Sequence, residues 1–130
     1  MKRILILGGT NFIGRNLVER LLELNEYEIT LFDRQLTHPN LFSPLNKIIG
    51  DRETDDTKRI ENVKWDFVID LSCYYPDALK SVIDCVSEVD KYIFISTCSV
   101  YDNEYNQSIL RNESSKILSC DSSQKIDRNQ

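Results

Sequence analysis

The sequence predicts an α/β fold, a doubly wound parallel sheet of about five strands with helices packed on both faces. Three observations lead there. Ile4-Leu5-Ile6-Leu7 is a continuous apolar run rather than an alternating one, as expected of a strand covered on both sides. Strand-like runs then alternate with helical patterns along the chain. Three of the four glycines fall between Gly8 and Gly14, where the first strand meets the first helix.

After the glycines, Ile13, Leu17, Val18, Leu21, Leu22 and Leu24 share one helical face, and Arg15, Glu19, Arg20 and Glu23 take the other. Tyr27-Glu28-Ile29-Thr30-Leu31-Phe32 reads as a second strand ending at Asp33. A loop punctuated by Pro39 and Pro44, carrying a solvent-facing His38, leads to a short strand at Lys47-Ile48-Ile49 that Gly50-Asp51 closes. Thr54 to Val63 is a polar helix with Thr54 as N-cap. Phe67-Val68-Ile69-Asp70-Leu71 is a fourth strand, preceded by Trp65 as a packing residue. Asp70, polar in mid-strand, reads as a structural carboxylate. Pro76 opens a helix running to about Val89, with Leu79, Val82, Ile83 and Val86 at helical spacing. Tyr92-Ile93-Phe94-Ile95 is the fifth strand. The expected crossovers are right-handed. Residues 1–101 form the domain on this reading, and residues 102–130 a polar, partly loose segment.

The chain has 130 residues, enough for one domain, and its 41% hydrophobic and 28% charged content excludes a disordered chain. Sixteen basic residues against 21 acidic give net −5, which argues against a broad nucleic-acid surface. No apolar run is long enough to span a membrane. Lys2-Arg3 and the apolar run after them do not make a signal peptide, because Gly8-Gly9-Thr10-Asn11 ends that run early. The expectation is a cytoplasmic protein. Cys73, Cys85, Cys98 and Cys120 form no CxxC pair and the chain has one histidine, so reduced, mostly buried thiols are expected and a zinc site is not.

Gly8-Gly9-Thr10-Asn11-Phe12-Ile13-Gly14 carries the chemistry. Glycines between a buried strand and a helix allow a tight turn and let backbone approach a pyrophosphate at the positive helix end. Gly14 would let helix and strand pack closely. Asp33 follows Gly14 by 19 residues at the end of the second strand, where a ribose-binding acid belongs.

This opening, Gly-Gly-Thr-x-Phe-Ile-Gly, resembles that of the extended short-chain dehydrogenases/reductases, the NAD-dependent epimerase/dehydratase family. Leu31-Phe32-Asp33-Arg34, Gly50-Asp51-Arg52, Asp66-Phe67-Val68-Ile69-Asp70-Leu71 and Ser96-Thr97-Cys98-Ser99-Val100-Tyr101 follow in the family's order. The resemblance runs from Lys2 to about Tyr101 and implies the N-terminal part of an NAD(P)-binding Rossmann fold. It places Gly8, Gly9, Thr10, Asn11, Phe12 and Ile13 along the cofactor phosphates, with Gly14 closing the motif. Asp33 would bind the adenosine ribose, and Asp51 with Arg52 would face the adenine. Leu71, Ser72 and Cys73 would lie near the second ribose, and Thr97 would hydrogen-bond the reacting substrate oxygen. Asp33 favours NAD as cofactor, and the neighbouring Arg34 leaves NADP open.

Two departures stand out. Asn11 replaces the family's middle glycine, tolerable because asparagine accepts left-handed backbone. The family's Tyr-x-x-x-Lys pair would fall near residue 122, where the sequence reads Asp121-Ser122-Ser123-Gln124-Lys125-Ile126. Catalysis by this chain alone is therefore not expected. The leading reading is the NAD(P)-binding portion of an oxidoreductase acting on a nucleotide sugar or similar hydroxylated small molecule, without the substrate domain. A non-catalytic dinucleotide sensor is the alternative. A further resemblance, to atypical members related to chloroplast stem-loop RNA-binding proteins, is opposed by the net charge. The edge of the fifth strand is expected to drive self-association or to be covered in part by Ile109, Leu110, Ile117 and Leu118.

Overall fold

The computed structural model describes residues 1–86, 88–96 and 112–117. Five strands, β1 (Lys2–Leu7), β2 (Tyr27–Asp33), β3 (Asn46–Ile49), β4 (Trp65–Asp70) and β5 (Val89–Phe94), form one sheet in the order β3-β2-β1-β4-β5. All four neighbouring pairs are parallel. Two α-helices, α1 (Phe12–Leu24) and α2 (Pro76–Ile83), and a 3-10 helix at Asp55–Ile60 complete the described elements.

The unbroken apolar run of β1 follows from its central position. Ile4 and Ile6 pack with Val18 of α1 and with Ile29, Leu31 and Ile69. Leu5 and Leu7 point the other way, to Phe32, Val68 and the α2-side residues Val82, Cys85 and Val86. With an apolar layer on each face, no position of that run is left for a polar residue. Trp65 belongs to the second core, its indole N–H donating to the Ile60 carbonyl at 3.1 Å.

Helix α1 buries a narrower stripe than its sequence suggests. Gly14 and Val18 are buried and Leu17 and Leu21 half-buried, whereas Ile13, Leu22 and Leu24 are exposed. At roughly 100° per residue, Ile13 and Leu22 stand at opposite margins of the apolar arc, away from the side that packs on the sheet. Asn25 ends the helix in left-handed backbone, φ 52°, and returns its N–H to Leu21 and Leu22.

Three other elements depart from expectation. Thr54 does cap, accepting from Asp56 N–H, but the helix it starts is a 3-10 turn ending at Ile60 rather than a polar α-helix to Val63. Once Thr57 and Ile60 are buried, the remaining residues have no apolar face to extend. Helix α2 stops at Ile83 instead of continuing to Val89. The N–H groups of Cys85 and Val86 fold back to Val82, which brings both side chains into the core and frees the chain to begin β5. Strand β5 accordingly starts at Val89, opposite Trp65, and not at Tyr92. As an edge strand it tolerates exposed Asp90 and Lys91 that a central strand would not.

Candidate functional site

The strand order reverses between β1 and β4, so the segments leaving these two strands diverge and open a crevice at the carboxyl edge of the sheet. Backbone bonds carry the ladder just past the strands and fix the crevice walls. Leu71 N–H donates to Leu7 O at 3.0 Å and Gly50 N–H to Asp33 O at 3.0 Å. Of the residues expected to bind cofactor, Gly8, Thr10 and Asn11 line this cleft on the β1 side. Asp33 and Arg34 line it from the end of β2, Asp51 and Arg52 from the turn after β3, and Ser72 from the segment after β4. Gly9, Phe12, Ile13, Gly14, Leu71 and Cys73 do not line it. Thr97 lies outside the described residues.

The turn divides its labour among the glycines. Gly8 has φ +89°, the left-handed backbone that glycine accepts freely, and a β-carbon there would lie 3.0 Å from Ser72 Cβ. Gly9 faces inward: its β-carbon would meet Leu31 at 2.8 Å and Val18 at 3.3 Å. It serves the core beneath the turn. At Gly14 a β-carbon would be 2.2 Å from the Gly8 carbonyl oxygen, so helix and turn pack backbone to backbone. Asn11 needs no left-handed tolerance, because it is the extended N-cap of α1 with φ −111°. Its side chain makes no capping bond and the first turn of the helix holds no acid, which leaves the positive end of α1 facing the cleft. Phe12 is 84% exposed and Ile13 is exposed as well.

Asp33 is held by one oxygen only. Its Oδ1 accepts the Gln35 N–H at 2.7 Å, while Oδ2 is buried without a partner. A buried carboxylate oxygen in that state is costly. Asp51 shapes the opposite wall. Its Oδ1 accepts the Glu53 N–H at 2.9 Å and its own N–H donates to Asp56 Oδ2 at 3.0 Å, a bond that holds the Asp56 carboxyl below its ordinary value.

Arg52 lines the cleft, yet its guanidinium is turned inward. The side chain is 6% exposed and binds Asp70 through two parallel bonds, Nη1 to Oδ1 at 2.5 Å and Nη2 to Oδ2 at 2.8 Å. Nη2 also donates to the Ala78 carbonyl of α2 at 2.9 Å. Although burial disfavours the charge, the Asp70 carboxylate raises the arginine pKa above its ordinary value. Asp70 has no exposed surface and further accepts the Tyr92 hydroxyl at 2.7 Å, so the structural reading of this acid holds. Burial, reinforced by that hydrogen bond, pushes the Tyr92 phenol well above the usual tyrosine range. Tyr74 is exposed on the cleft wall, whereas Tyr75 is buried. Cys73 is half-buried, with burial raising its thiol pKa, and donates to the Tyr75 carbonyl at 3.4 Å.

Sequence reading missed two features. Leu36, 74% exposed beside Gln35 and Thr37, forms part of the cleft wall. A lone leucine in a polar loop directly after Asp33-Arg34 was the available signal. The partner of Asp70 was the other. A mid-strand acid on a buried face calls for a cation, but 18 residues of separation hid Arg52.

A parallel sheet with a glycine turn, an acid after β2 and a cleft at the reversal point defines a Rossmann-like fold of the dinucleotide-binding type. Residues 4–123 match the NAD dependent epimerase/dehydratase family, and the chain belongs to that family. Among solved structures, the UDP-Glc/GlcNAc 4-epimerase from Campylobacter jejuni superposes with a TM-score of 0.75 at 20% identity, over 92% of this chain and 44% of that one. A UDP-glucuronic acid 4-epimerase from Bacillus cereus, in complex with UDP-glucuronic acid and NAD, gives 0.71 at 20% identity, over 89% and 46%. A short-chain dehydrogenase/reductase superfamily protein from Agrobacterium tumefaciens with bound NAD gives 0.73 at 17% identity, over 92% and 40%. The chain thus spans less than half the length of these structures. No curated protein matches it. Among the described residues no helix is long and apolar enough to cross a membrane, and no cluster of three or more potential ligands could hold a metal.

Proposed function

We propose that the chain is the NAD(P)-binding portion of an epimerase/dehydratase-like oxidoreductase acting on a nucleotide sugar or similar hydroxylated substrate. The observation that carries this reading is the unpartnered, buried Oδ2 of Asp33 in the cleft wall. It fits a ribose, whose hydroxyls donate to a carboxylate. The backbone of Gly8, Thr10 and Asn11 at the positive end of α1 takes the phosphates, and Asp51 faces the adenine. A bound nicotinamide would supply reversible hydride transfer, and Thr97 would orient the substrate oxygen. The complexes of the Bacillus and Agrobacterium proteins support NAD as the ligand.

The test is calorimetric titration of residues 1–130 with NAD and NADP. NAD should bind at least as tightly as NADP, and Asp33→Ala should weaken NAD by about tenfold or more, as expected for a charge-assisted hydrogen bond. Absence of binding by either dinucleotide would overturn the proposal.

A further inference from the structure

The position expected to touch adenine, Arg52, is the most thoroughly tied residue of the cleft. Its guanidinium binds the Asp70 carboxylate and the Ala78 carbonyl, and its own carbonyl accepts the Ser81 hydroxyl at 3.0 Å. The guanidinium of Arg52 is therefore fastened both to the end of β4 and to α2, and its backbone carbonyl to α2 as well. Nη1 also lies 3.5 Å from Ser72 Oγ, and Ser72 is the side chain that a β-carbon on Gly8 would strike. A continuous line of contact runs from the turn after β3, through Arg52 and Ser72, to the glycine turn after β1. Tyr92 extends it to β5 by its bond to Asp70.

We propose that Arg52 is a positioning residue: the buried Arg52–Asp70 pair holds the Gly50–Glu53 turn, and with it Asp51, against Gly8 and Asp33 across the cleft. This deepens the dinucleotide-binding reading and rests on it. Arg52 itself makes no contact with ligand in this arrangement. Its donors are spent on Asp70, Ala78 and Ser72, and the Nε that is not so engaged is buried. The fork geometry matters. Lysine would keep the charge but not two parallel bonds to Asp70 together with one to Ala78. The pair also joins three segments that are distant in sequence, so a small shift at one of them displaces the cleft wall.

Removing a single partner leaves a buried charge and threatens the fold. The test therefore uses Arg52→Lys, and separately the apolar pair Arg52→Met with Asp70→Leu. Each is first checked for cooperative thermal unfolding, then titrated with 5′-AMP and NAD, in the native background and with Asp51→Ala. With Asp51 present, the folded variants should bind 5′-AMP about tenfold more weakly than the native chain; with Asp51→Ala they should differ less than twofold from Asp51→Ala alone. Unchanged 5′-AMP affinity, or losses that simply add, would overturn the positioning role. So would loss of cooperative folding in both variants, which would assign the pair to the core alone. If the native chain bound neither NAD nor 5′-AMP, the functional reading itself would fail, an outcome recognisable before any variant is made.

Discussion

Gly14 and Gly8 meet backbone to backbone: a β-carbon on Gly14 would stand 2.2 Å from the Gly8 carbonyl oxygen and 2.9 Å from the Gly9 α-carbon. Neither atom can swing away as a side chain could. Helix α1 must retreat or the turn must open, and the turn is one wall of the cleft. Gly14→Ala should destabilise the chain by about 2–3 kcal/mol, as overpacking of a close contact does. Gly9→Val should destabilise it by a similar ~1–3 kcal/mol, since its side chain would enter the core at Leu31 and Val18. The reading of Gly9 as a residue in the phosphate path predicts instead a stable protein that cannot bind. Urea unfolding of both variants separates the two cases.

Arg34 lies exposed on the cleft wall directly after Asp33. If Asp33 sets the preference, Arg34→Ala should leave NAD affinity within about twofold and weaken NADP by about tenfold, the scale of one lost charge-assisted contact. Paired titrations with the two dinucleotides measure this. Loss of NAD binding in Arg34→Ala would assign the ribose contact to the arginine.

The Tyr92 phenol, raised above the tyrosine value of 10.0, sets a pH dependence of known sign. The folded state retains this proton more tightly than the unfolded chain. Its contribution to stability is complete below pH 10.0 and is lost as pH rises beyond it. Tyr92→Phe should flatten the alkaline limb of a stability–pH profile while lowering stability near neutrality by about 1 kcal/mol, the worth of one hydrogen bond. Ultraviolet titration of tyrosinate should show Tyr92 ionising only as the fold is lost.

Asp56 acts at the other end of the scale. The Asp51 N–H, and secondly the Thr54 hydroxyl, hold its carboxyl below the ordinary 3.8. Its stabilising effect is therefore present above pH 3.8 and disappears as pH falls through the lower folded value. Asp56→Asn should flatten the acid limb of the same profile, whereas an unchanged slope would show that the Asp51–Asp56 bond does not matter in solution.

Among the described strands β5 pairs with β4 alone, at the end of the sheet, and Ile93, Phe94 and Ile95 are exposed. Deleting residues 103–130 should increase self-association and lower the melting temperature, measured by light scattering with size-exclusion and by calorimetry. A stable monomer with an unchanged melting temperature would show that this edge needs no cover. Replacing Phe94 by lysine in the shortened chain should restore the monomer, because a charge on an exposed edge opposes pairing.

The sequence by itself determined the sheet and the place of the cleft. Ile4 to Leu7 has no polar position because both faces of β1 are covered, and Gly8, Gly14 and Asp33 are required by backbone geometry and charge wherever this turn and this acid meet. Such constraints act over a few residues and so leave a local mark. Element ends were less legible. Helix α2 stops at Ile83 because Cys85 and Val86 are needed in the core and β5 must begin opposite Trp65, neither of which is encoded near Ile83. Only the tertiary structure decided what lies against Gly9 and where the Arg52 guanidinium points. Gly9 looks inward because Val18 and Leu31 converge beneath it, and Arg52 turns away from the cleft because Asp70, 18 residues on, offers a buried carboxylate. A charge goes where a partner compensates its desolvation, and chain topology, not residue type, brings that partner within reach.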